Sequence, residues 1–456
     1  MKPNILFLCL DSFTAIKCFG KNKTSKTPNI DSLIEKGVLF KQAISSADGT
    51  ELCWASIFTS KYPFQIGLNS KKRSKISSKT ANYFNLLREN GYHTYATMPS
   101  GSTIYGLTKN FENSDIDYDA DFRLYDGLDK QILNKFQPNN MLEPWIYFIH
   151  LLDLHLPISL PSKFENEKYG DNKFDKMVSA IDVWIGRILE KIKLENTLVV
   201  LTADHGEFIP SINYNGKIIS NFGNETMHNL LWKIEANLPS QLIPIRNKLF
   251  DTGRKIIKQN EAKKIFDLDI KPYEKRALLN NRNDPDGYLF DELVHVPLIF
   301  SGNGLKPKII TNMVRHVDVF PTLVELMNYP PMKEKIEGRS LTPLLDDKPL
   351  EELPVFMEGR NRIEKDESCS VIGVRTSKYK YFKGRDKTRK RVFLFDLEND
   401  PLEEKNIKEE NPEIIEKMEL LLEDFDKKSL PVEEQEELTN EETKKIEKEL
   451  RKLGYI

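Results

Sequence analysis

Apolar residues run unbroken from Ile5 to Leu10 and stop at Asp11, a pattern that predicts a strand buried on both faces. A polar stretch follows to Thr27, whose hydroxyl is placed to cap a helix with Pro28 at its first position and Ile30, Leu33 and Ile34 along one face. Gly37 ends that helix, and a strand and another helix complete the first 60 residues. Apolar, β-branched or aromatic runs at 93–96, 145–150 and 198–202 predict further strands. Between the last two, Met177, Ile181, Ile185, Ile188, Leu189 and Ile192 recur with helical period over 174–192. This alternation predicts an α/β fold, with a central, mostly parallel sheet and flanking helices.

The pattern loosens at 208–288 into a Gly/Asn-rich region and charged stretches, among them a predicted helix over 252–266. We read this as an insertion over or beside the sheet, because a strand resumes at 296–300 and a helix at 318–327. From 351 the signals change to strands at 355–358, 371–375, 379–382 and 392–397, which predict a small antiparallel sheet. A charged helical tail follows, in which Thr439 and Glu442 form a capping box and Ile446, Leu450 and Leu453 an apolar seam. The expected domains are therefore 1–350, carrying the insertion, and 351–456.

The 456 residues carry 67 Lys+Arg against 69 Asp+Glu, a formal net charge of −2. That balance argues against a broadly basic nucleic-acid binder and leaves room for a local anion pocket. No window approaches the roughly 18–20 apolar residues of a membrane span. The opening run reads as a strand and not as a signal peptide. Cys9, Cys18, Cys53 and Cys369 show neither metal-ligand spacing nor a disulfide framework, so a reducing, cytoplasmic setting is expected.

Asp11 follows one apolar strand directly, and Asp204 with His205 follows another; in a parallel sheet both sets face the same carboxyl edge. Two carboxylates and an imidazole there suit a divalent cation, whereas each alone reads as a cap or a structural hydrogen bond. Thr50 closes the polar segment SSADGT just before a predicted helix. Local sequence makes it an N-cap, and the same position offers a hydroxyl where helix amides meet an anion.

Several blocks then carry a resemblance: PNILFLCLDS at 3–12, TELCWASIFTSKYP at 50–63, HLLDLHLP at 150–157, TLVVLTADHGE at 197–207, FDELVHVPLIF at 290–300 and VRHVDVFPTLVELM at 314–327. In this order and spacing, the chain resembles the sulfatase family of the alkaline phosphatase superfamily. The resemblance implies an alkaline-phosphatase/sulfatase-like fold, metal binding by Asp11, Asp204, His205 and the Thr50 oxygen, and Thr50 as the nucleophile. It further implies that His155 touches the substrate anion or the leaving group, with Asp153 beside it where two-metal members hold a second ion. His295 is a candidate for the pocket lining, as is His316, whereas His228, in the insertion, reads first as a solvent-facing histidine and second as one that approaches the site. Mn²⁺ or Zn²⁺ is favoured over Ca²⁺ by the imidazole ligand, and one or two ions are open.

The departures sharpen this reading. Sulfatases proper carry C/S-x-P-x-R, whose first residue matures to formylglycine; here the stretch is Thr50, Glu51, Leu52, Cys53, Trp54. Ser12 stands where a second aspartate is usual, and the Lys-Trp-His stretch after GYHT is replaced by YATMPSGST. Cys53 reads as a small buried residue, and Trp54 as packing against the first helix. The expected activity is a metal-dependent hydrolase of phosphate or phosphonate esters, or a phosphotransferase, passing through a phospho-threonine at Thr50. Sulfate-ester hydrolysis by the unmodified threonine and an inactive binding protein are the alternatives. The expected partner is a small anionic ester, and a homo-oligomer is left open.

Overall fold

The computed structural model describes residues 2–20, 23–68, 74–77, 80–100, 105–106, 108, 111–119, 121–220, 264–280, 287–359, 371–385, 391–429 and 436–452. In chain order the strands are β1 (Asn4–Leu10), β2 (Val38–Ile44), β3 (Ser74–Lys75), β4 (His93–Pro99), β5 (Asp117–Tyr118), β6 (Trp145–Leu151) and β7 (Thr197–Thr202). They continue as β8 (Ser211–Tyr214), β9 (Lys217–Ser220), β10 (His295–Gly302), β11 (Lys308–Arg315), β12 (Val355–Glu358), β13 (Val371–Arg375), β14 (Tyr379–Gly384), β15 (Val392–Asp396) and β16 (Glu436–Glu437).

Eight strands form the central sheet in the order β11-β2-β10-β7-β1-β6-β4-β5. Every residue of β1, β6 and β7 is buried, as expected of strands covered by helices on both faces. All neighbouring pairs are parallel except those of β10, which runs antiparallel to β2 and β7. The pattern of β10 does not announce its direction, because a doubly buried strand is an apolar run either way. Its register slips between Val296 and Leu298, around Pro297, whose carbonyl accepts from Thr202 Oγ1 at 2.7 Å. A bulge is where a central strand tolerates proline.

The helices form for legible local reasons, with one tertiary substitution. Asn172 caps the Lys173–Leu189 helix, its side chain accepting from the Asp175 amide. Thr27 was expected to cap the Pro28–Lys36 helix, but its hydroxyl turns to Asp31 Oδ1 at 3.1 Å. The Asn29 and Ile30 amides are instead taken by Asp182, on the Lys173–Leu189 helix packed alongside, at 3.1 and 2.8 Å. The Thr439–Glu442 capping box forms as predicted, with reciprocal bonds of 2.8 and 3.2 Å.

Two compact units account for the contacts. One comprises residues 1–207 and 285–456, so the antiparallel sheet β12-β13-β14-β15 belongs with the central sheet. Tyr62, Phe64 and Val317 share a core with Phe356, Val374, Tyr381, Leu394, Met418, Leu422 and Phe425. The other unit, 208–284, holds the β8–β9 hairpin, turned at Asn215 and Gly216 (φ 52° and 77°), and the Pro272–Leu279 helix around Ile212, Ile265 and Leu278. Most of the helix predicted over 252–266 lies outside the described residues, as does His228.

Candidate active site

The parallel strands β1, β6 and β7 end on one edge, and the chain after β2 reaches the same edge, so the predicted residues converge. The Asp11 amide donates to the Leu151 carbonyl at 2.9 Å, which fixes the turn out of β1. Ser12 follows with φ 62°, a left-handed backbone uncommon for a side-chain-bearing residue, and its Oγ donates to Asp11 Oδ1 at 2.6 Å. After β7, Asp204 Oδ1 accepts from the His205 and Ser12 amides at 2.8 and 3.3 Å. Gly206 is required next: a Cβ there would stand 2.0 Å from the Glu292 carbonyl oxygen.

Thr50 is not the cap. Gly49 takes the N-cap position, and Thr50 is the first residue of the Thr50–Thr59 helix. Its Oγ1 lies 3.4 Å from Asp11 Oδ2 and 3.3 Å from His205 Nε2. Ligand atoms of Asp11, Asp204 and His205 all lie within 4.8 Å of one another, and all three side chains are buried. His205 Nδ1 donates to the Gly206 carbonyl at 2.9 Å, which leaves the Nε2 lone pair turned toward Thr50. Two carboxylates, a bare imidazole nitrogen and a hydroxyl at this spacing fit a divalent cation. Burial pushes the Asp204 carboxyl up, but the His205 and His150 rings when protonated, together with the His205 amide, outweigh it and hold the group well below the usual carboxylate range.

His150 was not foreseen. It is fully buried, its Nε2 lies 3.3 Å from Asp204 Oδ2 and 3.9 Å from Asp11 Oδ2, and the Trp54 ring meets it edge-on at 4.5 Å. A histidine inside the apolar run of β6 was the available signal, and its parallel register with Cys9 brings it to the site. Trp54 packs on His150 and Phe148 of β6. Cys53 is the small buried residue expected, its Sγ directed at the Ala47 carbonyl at 3.2 Å. His316 is also buried beside Asp204, and burial pulls its imidazole down to about 4 against the opposing pull of that carboxylate.

The other candidates add no ligand atom to this cluster. Neither His155 nor Asp153 joins a group of three ligand atoms among the described residues. His155 is buried in a turn closed by its amide on the Leu152 carbonyl at 2.9 Å. His295 is buried at the start of β10, where its Nε2 donates to the Lys41 carbonyl at 2.7 Å and burial lowers its pKa. Asp153 Oδ1 accepts from the Leu124 amide at 3.0 Å, and burial raises its carboxyl from 3.8 to about 6.

That shift has a measurable consequence. An acid with a raised folded-state pKa binds its proton more tightly when folded, so Asp153 penalises folding above pH 6 and the penalty fades toward pH 4. In metal-stripped protein, Asp153→Asn, which keeps an acceptor for the Leu124 amide, is expected to raise stability at pH 7.5 by about 2 kcal/mol and by almost nothing near pH 4. Urea midpoints at the two pH values check this. A cation that used Asp153 as a ligand would reverse the sign on loading, so the same pair of samples separates one bound ion from two.

The chain matches the Sulfatase family model over residues 3–329 and that of the C-terminal part of N-sulphoglucosamine sulphohydrolase over 284–428. Arylsulfatase K of Gallus gallus is 21% identical over 458 residues, covering 92% of this chain and 82% of its own. Among solved structures, the phosphonate monoester hydrolase of Agrobacterium radiobacter superposes with a TM-score of 0.62 at 17% identity, covering 94% of this chain and 96% of its own. A structure holding D-glucosamine-2-N,6-O-disulfate as its substrate superposes at 0.60 and 15% identity, covering 94% and 98%. With the family model spanning the sheet and the whole ligand cluster, the chain belongs to the sulfatase family and has its hydrolase fold.

Proposed function

We propose that the protein is a metal-dependent hydrolase of phosphate or phosphonate esters, or a phosphotransferase, working through a phospho-threonine at Thr50. The observation that carries this reading is an unmodified hydroxyl, that of Thr50, 3.4 Å from Asp11 and 3.3 Å from the bare nitrogen of His205. Threonine does not mature to formylglycine, the group through which sulfatases proper act. Its oxygen must itself be the nucleophile or have no catalytic part.

Asp11, Asp204, His205 and the Thr50 oxygen would hold a divalent cation, with Mn²⁺ or Zn²⁺ suiting the donor set better than Ca²⁺. Such a cation supplies positive charge that favours the ionised hydroxyl and neutralises the anionic ester. The chain's own part is positional. The helix start and the Asp11 contact aim Thr50 Oγ1 at the phosphorus, its proton departs to solvent, and the Oγ1–P bond forms as the P–O bond to the alcohol breaks. His155, in the turn that follows β6, gives the leaving alcohol its proton. Water or an acceptor alcohol then attacks phosphorus and frees the threonine oxygen.

The names of the arylsulfatase relatives favour a second reading, sulfate-ester hydrolysis by the same hydroxyl. Aryl phosphate, phosphodiester, phosphonate ester and aryl sulfate, each assayed against one purified, Mn²⁺- or Zn²⁺-loaded sample with Thr50→Ala as blank, separate the two. Phosphorus turnover well above sulfate turnover is the expected result, and the opposite order transfers the mechanism to sulfur. Three buried thiols outside any disulfide, Cys9, Cys18 and Cys53, agree with a cytoplasmic setting. Among the described residues no helix is long and apolar enough to cross a membrane.

A further inference from the structure

Beside the Asp11–Asp204–His205 cluster, and sharing Asp204 with it, is a second group with different donors. Cys9 and His150 are register partners on the adjacent parallel strands β1 and β6, so their side chains leave the sheet on the same face. Ligand atoms of Cys9, His150 and Asp204 all lie within 4.8 Å of one another, and none of the three side chains is exposed. The Trp54 ring packs on His150 with centroids 4.5 Å apart and planes at 86°. His150 Nδ1 is buried without a hydrogen-bond partner, a costly condition that a ligand at that nitrogen would relieve.

We propose that Cys9, His150 and Asp204 form a second binding site, for a thiophilic divalent cation of the Zn²⁺, Co²⁺ or Cd²⁺ class. A sulfur, an imidazole nitrogen and a carboxylate oxygen select such ions over Mg²⁺, Ca²⁺ or Mn²⁺, which prefer all-oxygen surroundings. Ligation exchanges the thiol proton for the metal, so the buried sulfur carries no uncompensated charge. Asp204 belongs to both groups, so the two sites compete for one carboxylate. A soft ion in the second site therefore weakens Mn²⁺ binding at the first. Nothing in this depends on which ester the enzyme cleaves.

Cobalt reports the site directly. Full-length protein, stripped with a chelator and titrated with Co²⁺, is expected to show a thiolate-to-cobalt charge-transfer band in the near ultraviolet. Cys9→Ser is expected to lose the band and one bound equivalent, while Cys53→Ser keeps both. Absence of the band in the wild-type protein, or its survival in Cys9→Ser, overturns the proposal. Should Cys9→Ser fail to fold, cadmium NMR on the unaltered protein decides the question. A resonance shifted by one sulfur ligand and lost on Co²⁺ competition supports the second site, and a purely oxygen and nitrogen environment removes it.

Discussion

Thr50→Ala is expected to lower kcat on the best substrate by at least about 10³-fold while leaving the fold and the uptake of a divalent cation in place. The fold should hold because Thr50 caps nothing: Gly49 is the N-cap and the helix behind Thr50 is buried almost throughout. Cation uptake should hold because Asp11, Asp204 and His205 keep their mutual spacing without the hydroxyl. Thr50→Ser is the informative companion, since it restores a hydroxyl and should recover most of the loss. If the alanine variant kept more than about a tenth of the wild-type kcat, no covalent threonine step could be on the path. Acid quenching of the wild-type enzyme at saturating substrate should trap the modified residue on the peptide that holds Thr50, and the alanine variant should trap none.

The parts of this site that were legible in the sequence share one cause. Asp11 and Asp204–His205 each end an apolar run, and the polar loop before Thr50 ends at a helix, so strand edges and helix starts mark themselves by a change of periodicity. His150 escaped because it lies inside such a run; only the pairing of β6 with β1 shows that it faces the carboxylates. Asp182, in capping the Asn29–Ile30 amides, escaped for the same reason, since its partner is a separate helix. The direction of β10 is likewise a tertiary property. Local pattern thus identifies the residues that terminate elements, whereas those that work through a neighbouring element appear only once the sheet is assembled.

The C-terminal sheet is one such element, and it bears directly on the nucleophile. Glu358, the last residue of β12, donates its amide to the Ser46 carbonyl at 3.1 Å and accepts from the Asp48 amide at 3.3 Å, two residues before Thr50. The loop that presents the nucleophile is therefore an edge partner of this sheet, and whatever loosens the sheet loosens the loop.

Lys380 is where that attachment is most vulnerable. Its side chain is fully buried on β14, with Nζ 2.7 Å from Asp291 and 2.9 Å from Glu403. Asp291 also pairs with Arg375 at 3.0 Å, and its amide donates to Glu403 at 2.7 Å. Burial raises the Asp291 carboxyl, yet Arg375 and Lys380 overcome it and hold the group well below the usual range. A depressed carboxylate contributes stability above its unfolded pKa of about 4, and the contribution is lost as pH falls below it. Lys380→Ala removes a buried counter-charge from both Glu403 and Asp291, and it is expected to cost about 3–5 kcal/mol near neutral pH. Lys380→Met keeps the aliphatic stem and should recover only the smaller packing share, because the larger loss comes from removing the buried positive charge. Adding Glu403→Gln to the methionine variant should restore part of the stability, since it removes a buried negative charge that Lys380 had balanced. Urea unfolding of the three variants at pH 7.5 measures these differences. A loss below about 1 kcal/mol for the alanine variant would mean that water reaches the pair and that the sheet is held by its apolar core alone.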